Sequence, residues 1–168
     1  MMIEKNIAGI IEKNYSLPDL FEKYASDIYR YSLSLLKDAD DAKDAVQEVF
    51  VKYTENENSF KGSCSQKTWL IVLTRNYCFN IIKSSRSKNR RFDEEILEIP
   101  AEMDLDSKVT LNEALKLLAP EHNELLYLAE FENYSYKEIA EITNQTVENV
   151  KIKLYRTRQH LRKILKNY

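Results

Sequence analysis

Apolar residues recur along this chain at the three-to-four-residue spacing of helices rather than the alternation of strands. Leu20, Phe21, Tyr24, Ile28, Tyr31 and Leu35 form one stripe from Leu17 onward. Pro18 stands where a helix starts, and the stripe ends before Lys37-Asp38-Ala39-Asp40. A second helix is predicted from about Asp41 to Tyr53. The polar stretch ENENSFKGSCSQKT then reads as a loop, in which Gly62 permits a backbone turn that other residues resist. Thr68 is expected to cap a third helix, Trp69 to about Ser84, apolar on most sides. After it SSRSKNRR breaks the pattern, and DEEILEIPAEMDLDSK has the charge and the proline of a linker. Helical spacing resumes at about Val109. Pro120 opens a helix bearing Leu125, Leu126, Leu128 and Phe131, expected to support the two helices that follow. Upstream, Met1 to Ser16 carries Ile3, Ile7, Ile10 and Ile11 at helical spacing, too short a stretch to predict a stable helix alone.

The pattern is most specific from Ser135 to Arg162. Ser135 and Glu138 make a capping box, in which hydroxyl and carboxylate satisfy two backbone donors at the start of a short helix carrying Ile139, Ala140 and Ile142. Asn144 tolerates the left-handed backbone of a tight interhelical turn, and Thr146 caps a longer helix beginning at Val147. Val147, Val150, Leu154, Leu161 and Leu165 define its inward stripe, leaving Asn149, Ile152, Lys153, Arg156 and His160 on another face. Lys151, Tyr155, Arg158 and Arg162 lie beside them. A helix presenting amide, hydroxyl and guanidinium groups on its open side enters the major groove with early residues at base edges and later cations at phosphates. The plain alternative is a basic amphipathic helix closing an ordinary bundle.

Charge placement favours the nucleic-acid reading. The formal net charge of −2 hides segregation. Residues 61–92 carry eight Lys and Arg and no Asp or Glu, and residues 147–168 carry seven against one. Between them, residues 93–146 carry three cations against fourteen carboxylates. Two basic segments, each beside a plausible nucleic-acid motif, are positioned for phosphate contacts.

Composition narrows the remaining classes. A chain of 168 residues with 43% hydrophobic content makes one medium domain or two small ones, and only two Gly and three Pro argue for helix throughout. The longest apolar run, Trp69 to Leu73, falls far short of the roughly eighteen residues of a membrane span. The first residues lack a signal-peptide pattern, so no membrane insertion and a cytoplasmic location are expected. Cys64 and Cys78 are too far apart for a metal-binding pair and read as unbridged structural thiols. His122 and His160 have no ligand cluster around them, so neither a metal site, a cofactor nor a catalytic triad is expected, and no enzyme is read here.

The order of these motifs, over nearly the whole chain from Leu17, resembles the extracytoplasmic-function (ECF) group of bacterial RNA polymerase sigma factors. DAKDAVQEVFVKY, Asp41 to Tyr53, is similar to the family helix that docks on the polymerase. The resemblance assigns core-polymerase binding to Asp41, Asp44, Gln47, Glu48, Phe50 and Val51, a set of carboxylates beside apolar side chains that suits a basic surface with apolar pockets. Phe60, Gly62, Trp69, Leu70, Arg75 and Asn76 resemble the loop and tryptophan-leucine helix with which the family opens the minus-10 promoter element and holds an extruded base. That chemistry needs an aromatic or amide-lined pocket beside cations. The implied readers are Phe60, Lys61, Lys67, Trp69, Arg75 and Asn76, with burial favoured over base contact for Trp69. The segment Ser135 to Arg162 resembles the family helix-turn-helix that reads the minus-35 element, and implies Thr146, Asn149, Lys151, Ile152, Lys153, Tyr155, Arg156 and Arg158 as readers. Departures are Asn144 where glycine is common, Asn149 where threonine is usual, Ile152 where a small polar residue is usual, and Asn80 in place of aspartate.

The implied protein is all-α, with two small helical domains on a flexible acidic linker. Residues 1–16 form an N-terminal extension, 17–88 a sigma region 2-like domain, 89–108 the linker and 109–168 a sigma region 4-like helix-turn-helix domain. Its expected partners are bacterial RNA polymerase core, promoter DNA and an anti-sigma factor. The acidic run Asp93, Glu94, Glu95, Glu98, Glu102, Asp104 and Asp106 is either a plain spacer or a segment suited to a basic polymerase channel. A stand-alone helix-turn-helix regulator is the alternative, and a purely protein-binding helical module a third. The Asp41 to Asn76 block, which a simple regulator has no need to carry, separates the first two.

Overall fold

The computed structural model describes residues 15–57, 60, 62–88 and 110–166, for residues 86–88 the helical backbone alone. The predicted N-terminal extension, apart from residues 15 and 16, and the acidic linker lie outside the described residues. Every regular element among the described residues is helical. Three long helices come first: α1 Leu17–Leu36, α2 Ala39–Glu55 and α3 Gln66–Lys88. The C-terminal half comprises α4 Leu111–Lys116, α5 Pro120–Leu126 with a π-helical turn over Tyr127–Phe131, α6 Tyr136–Thr143 and α7 Val147–Lys166.

Local chemistry sets most of these boundaries. Ser16 caps α1, Pro18 lies in its first turn, and Lys37 ends it in the left-handed region at φ 58°. Asp38 caps α2 by accepting from the Asp40 and Asp41 amides, both at 2.9 Å. α3 starts earlier than expected: the Ser65 hydroxyl, not that of Thr68, accepts from the Thr68 amide at 2.9 Å. It also runs to Lys88 instead of stopping near Ser84. Ser84 to Lys88 contains no proline or glycine, so nothing in this stretch stops an established helix from continuing. α4 carries a capping box, Thr110 with Glu113, that the apolar spacing did not reveal.

α1, α2 and α3 pack around Leu20, Ile28, Tyr31, Val49, Leu70 and Ile71, and the C-terminal helices around Leu125, Leu128, Ile139, Val150 and Leu154. The two sets form one contiguous core, because α1 packs on α5 and α3 touches α6. Cys78 is fully buried, which pushes its thiol up to about 11. Among the described residues no helix is long and apolar enough to cross a membrane.

Two predicted core positions of the C-terminal half are corrected. Phe131 is 61% exposed, because the π turn, closed by the Glu132 amide on the Tyr127 carbonyl at 3.1 Å, rotates it off the face that buries Leu128. It stacks on Tyr127 instead, centroids 5.3 Å apart. Leu165 is exposed at 39% while Ile164 is buried. The stripe of α7 therefore runs Val150, Leu154, Thr157, Leu161, Ile164. Thr157 escaped notice because it is polar, but its hydroxyl donates to the Lys153 carbonyl at 2.8 Å and so enters the core satisfied.

Candidate nucleic-acid and polymerase interfaces

α6 and α7 meet at the turn the sequence predicts. Ser135 and Glu138 form the full capping box, and these hydrogen bonds hold the Glu138 carboxyl below its usual range. Asn144 takes φ 53° and Thr146 Oγ1 accepts from the Asn149 amide at 3.2 Å. Ile139, Ile142, Val150 and Leu154 lock the two helices together. The outer face of α7 then has Asn149, Lys151, Ile152, Tyr155 and Arg156 exposed, with Lys153 half-buried at its edge. Ile152 and Tyr155 are 49% and 64% exposed, an open apolar and aromatic surface among cations. Arg158 differs from the rest: its guanidinium sits on Glu130 at 2.6 Å and reaches the Tyr136 hydroxyl at 3.4 Å. It ties α7 to the preceding elements, and both contacts favour its charged form.

At the start of α3 the side chains divide into two groups. Phe60 stacks on Trp69 with centroids 5.0 Å apart, and Trp69 in turn packs at 5.0 Å on Tyr53. Gln66, buried, donates to the Tyr53 hydroxyl at 2.9 Å and fixes the inner end of this aromatic stack. Trp69 is half-buried and Asn76 is exposed. Lys67 and Arg75 turn the other way, toward the C-terminal half. Lys67 Nζ lies 2.6 Å from Glu132 and 3.4 Å from Asp27. Arg75 Nε lies 2.8 Å from Glu124 Oε1, with its guanidinium 4.7 Å from the Phe79 ring. Lys61 is outside the described residues.

On α2, Asp41, Asp44, Gln47, Glu48 and Val51 are exposed along one side, whereas Phe50 is buried. Phe50 packs at 4.9 Å under Phe21 of α1, which is itself 48% exposed. Phe21 and Val51 thus present the apolar surface that Phe50 was expected to offer. Phe21 was read as an ordinary stripe position, and its only distinguishing signal is its place one residue past Leu20, at the margin of the stripe. Desolvation and then the Glu48 and Asp44 carboxylates raise the pKa of Tyr77 on α3.

These are the parts of a two-domain transcription-initiation subunit. Residues 20–88 match the family described as Sigma-70 region 2, and residues 108–161 match Sigma-70, region 4. The chain is 32% identical over 158 residues to the RNA polymerase sigma factor YlaC of Bacillus subtilis, an alignment spanning 88% of this chain and 91% of that one. It is 27% identical to the ECF RNA polymerase sigma factor SigM of the same organism, over 88% and 93% of the two chains. The fold is that of the sigma factor RpoE in its complex with the anti-sigma factor NepR from Bartonella quintana, with a TM-score of 0.70, 24% identity and coverage of 87% and 94%. The chain belongs to the ECF group of the sigma-70 family of RNA polymerase sigma factors, non-enzymatic proteins that bind core polymerase and direct transcription initiation at promoters. Possession of region 2 as well as region 4 removes the reading as a stand-alone regulator.

Proposed function

We propose that this sigma factor divides its work between residues 17–88, which bind core polymerase and the melted minus-10 element, and residues 109–168, which read the minus-35 element, with 89–108 as the tether. What best supports this division is the open face of α7, where amide, apolar, phenolic and cationic side chains project beyond a capped turn. Asn149 and Ile152 lie early on the helix, within reach of base edges, while Thr146, Lys151, Lys153, Tyr155, Arg156 and Arg158 serve the backbone and helix placement. In the N-terminal half, Phe60 and Trp69 form the aromatic platform for an extruded base, Asn76 a polar edge, and Lys61, Lys67 and Arg75 the cations. Asp41, Asp44, Gln47, Glu48 and Val51, with Phe50 beneath, form the polymerase contact, to which Phe21 is added. Two weak DNA contacts on one chain strengthen each other once polymerase sets their spacing.

The protein acts in the cytoplasm, where its polymerase partner is, and is held inactive by an anti-sigma factor. The solved relative RpoE was captured with such a partner. Replacing Lys151 and Arg156 together with alanine is expected to abolish promoter-specific run-off transcription with purified core polymerase while leaving co-elution with polymerase intact. Loss of both activities would point to a folding defect in the variant, whereas retention of promoter choice would remove α7 from the proposed role.

A further inference from the structure

At the inner end of the aromatic stack, one buried amide joins three parts of the chain. Gln66, the first residue of α3, is 6% exposed. Its Oε1 accepts from the Tyr15 amide at 3.0 Å, and its Nε2 donates to the Tyr53 hydroxyl at 2.9 Å and to the Tyr15 carbonyl at 3.4 Å. A backbone N–H can only donate, so Tyr15 sets which end of the Gln66 amide faces it and leaves the NH2 group for Tyr53. Tyr15 is itself held: Lys23 Nζ donates to its hydroxyl at 2.9 Å and lies 4.1 Å from its ring centroid. The residue ahead of the α1 cap, the end of α2 and the start of α3 thus meet on a single side chain.

What Gln66 holds is the base of the stack. Tyr53 is 3% exposed and meets the Trp69 ring at an interplanar angle of 57°, and Trp69 meets Phe60 at 24°. Offset, stacked and tilted ring arrangements are all favourable, so ring contact by itself sets the tilt of Trp69 only loosely. A hydrogen bond is stricter, because it weakens steeply away from its preferred distance and angle. The Tyr53 hydroxyl, buried beside Gln66, can leave its partner only by going unsatisfied. The amide therefore fixes Tyr53, and Tyr53 supplies the fixed surface against which Trp69 and then Phe60 are laid.

We propose that Gln66 is a positioning residue for promoter melting: by tying Tyr53 to Tyr15 it presets the Trp69 and Phe60 rings on which the extruded base stacks. The inference rests on the assignment of Phe60 and Trp69 to the minus-10 strand. Gln66 does not touch DNA. It acts on the step from a bound, closed promoter to an open one, because a platform already in place needs no ordering when the base leaves the duplex. Core-polymerase binding and duplex binding involve other faces and are left unchanged.

Gln66→Leu, Tyr53→Phe and the two together test this in the full-length protein assembled with core polymerase, on a promoter that the wild type transcribes. Opening is read from the permanganate reactivity of unpaired thymines, and closed-complex formation from gel shift in the cold. The emission and acrylamide quenching of Trp69, the chain's one tryptophan, report the platform in the protein alone. Gln66→Leu is expected to lower opening roughly tenfold and Tyr53→Phe less, with Trp69 more readily quenched and closed complexes unchanged. The double variant removes donor and acceptor together, so its melting temperature is expected to recover toward wild type while opening stays reduced. Opening that recovers with stability would reduce Gln66 to a packing role and overturn the proposal, as would normal opening in Gln66→Leu. If Gln66→Leu fails to bind core polymerase, Tyr53→Phe, which removes one oxygen, decides on the same readouts. Phe60→Ala separates this inference from the assignment beneath it. Reduced opening in Phe60→Ala beside normal opening in the Gln66 and Tyr53 variants rejects the positioning role alone; normal opening in Phe60→Ala rejects the platform itself.

Discussion

On the proposed reading, Ile152 is the position where one side chain bears most on promoter choice. It stands 49% exposed on α7, where an isoleucine has no packing reason to be, beside the exposed Asn149. An apolar group on a recognition helix discriminates through contact with the thymine methyl in the major groove. Ile152→Ser is therefore expected to relax the preference at one base pair of the minus-35 element by about 1 kcal/mol, roughly fivefold, with other positions unchanged. Transcription from a promoter library randomised at that element reads this directly, and an unaltered base preference would mean that Ile152 does not touch DNA. Arg158 is the contrasting case. The sequence places it among the readers, but its bonds to Glu130 and Tyr136 engage the same guanidinium that a phosphate would need.

α7 combines an outward polar and cationic face with an inward stripe, and its stability depends on which residues make that stripe. Val150, Leu154, Thr157 and Ile164 are buried, and Leu165 is not. Ile164→Ala is expected to cost about 2–5 kcal/mol in urea unfolding, the usual range for emptying a buried aliphatic site, against at most about 0.5 kcal/mol for Leu165→Ala. Equal costs would place the two residues on one face. The caps act on the same elements from the opposite direction. Ser135 and Thr146 satisfy backbone donors at the mouths of α6 and α7, so their contribution is to direction and start point rather than to burial.

Over the whole molecule, the ionisable groups pull in opposite directions with pH. Burial raises the pKa of Glu124 above the usual 4.5, although Arg75 and the Tyr31 hydrogen bond act against it and Glu121 adds to it. The packed form thus favours the protonated carboxyl, and the stability tied to this group is fully present below pH 4.5 and lost as pH rises through its raised pKa. Glu113 and Glu138, held down by their capping-box hydrogen bonds, behave in the reverse sense and lose their contribution as pH falls. Glu124→Gln keeps the side chain neutral at every pH. Its melting temperature relative to wild type is expected to be higher at pH 7 than at pH 4, and thermal melts across that range check it. A difference independent of pH would show that Glu124 is not destabilised by its burial.

The order of helices, the capped helix-turn-helix and the segregated charge were legible in the residues because each depends on neighbours within one or two turns. Ser135 with Glu138, Asn144 and Thr146 each specify a local backbone geometry, and apolar spacing fixes which face of α1 or α6 turns inward. α3 starts at Gln66, ahead of the position expected from Thr68, because Ser65 and Thr68 are both capping residue types three positions apart and the path of the incoming loop selects Ser65. The exposure of Phe131 depends on a π turn that has no composition signal. Least legible was the pairing of Glu124 with Tyr31 and Arg75, and of Glu132 with Lys67, residues from opposite halves of the chain. A glutamate among leucines and an arginine on a largely apolar helix give no sign, in sequence, of each other. Packing α5 against α1, with α3 against α6, removes them from water, and once buried each charge must find the other.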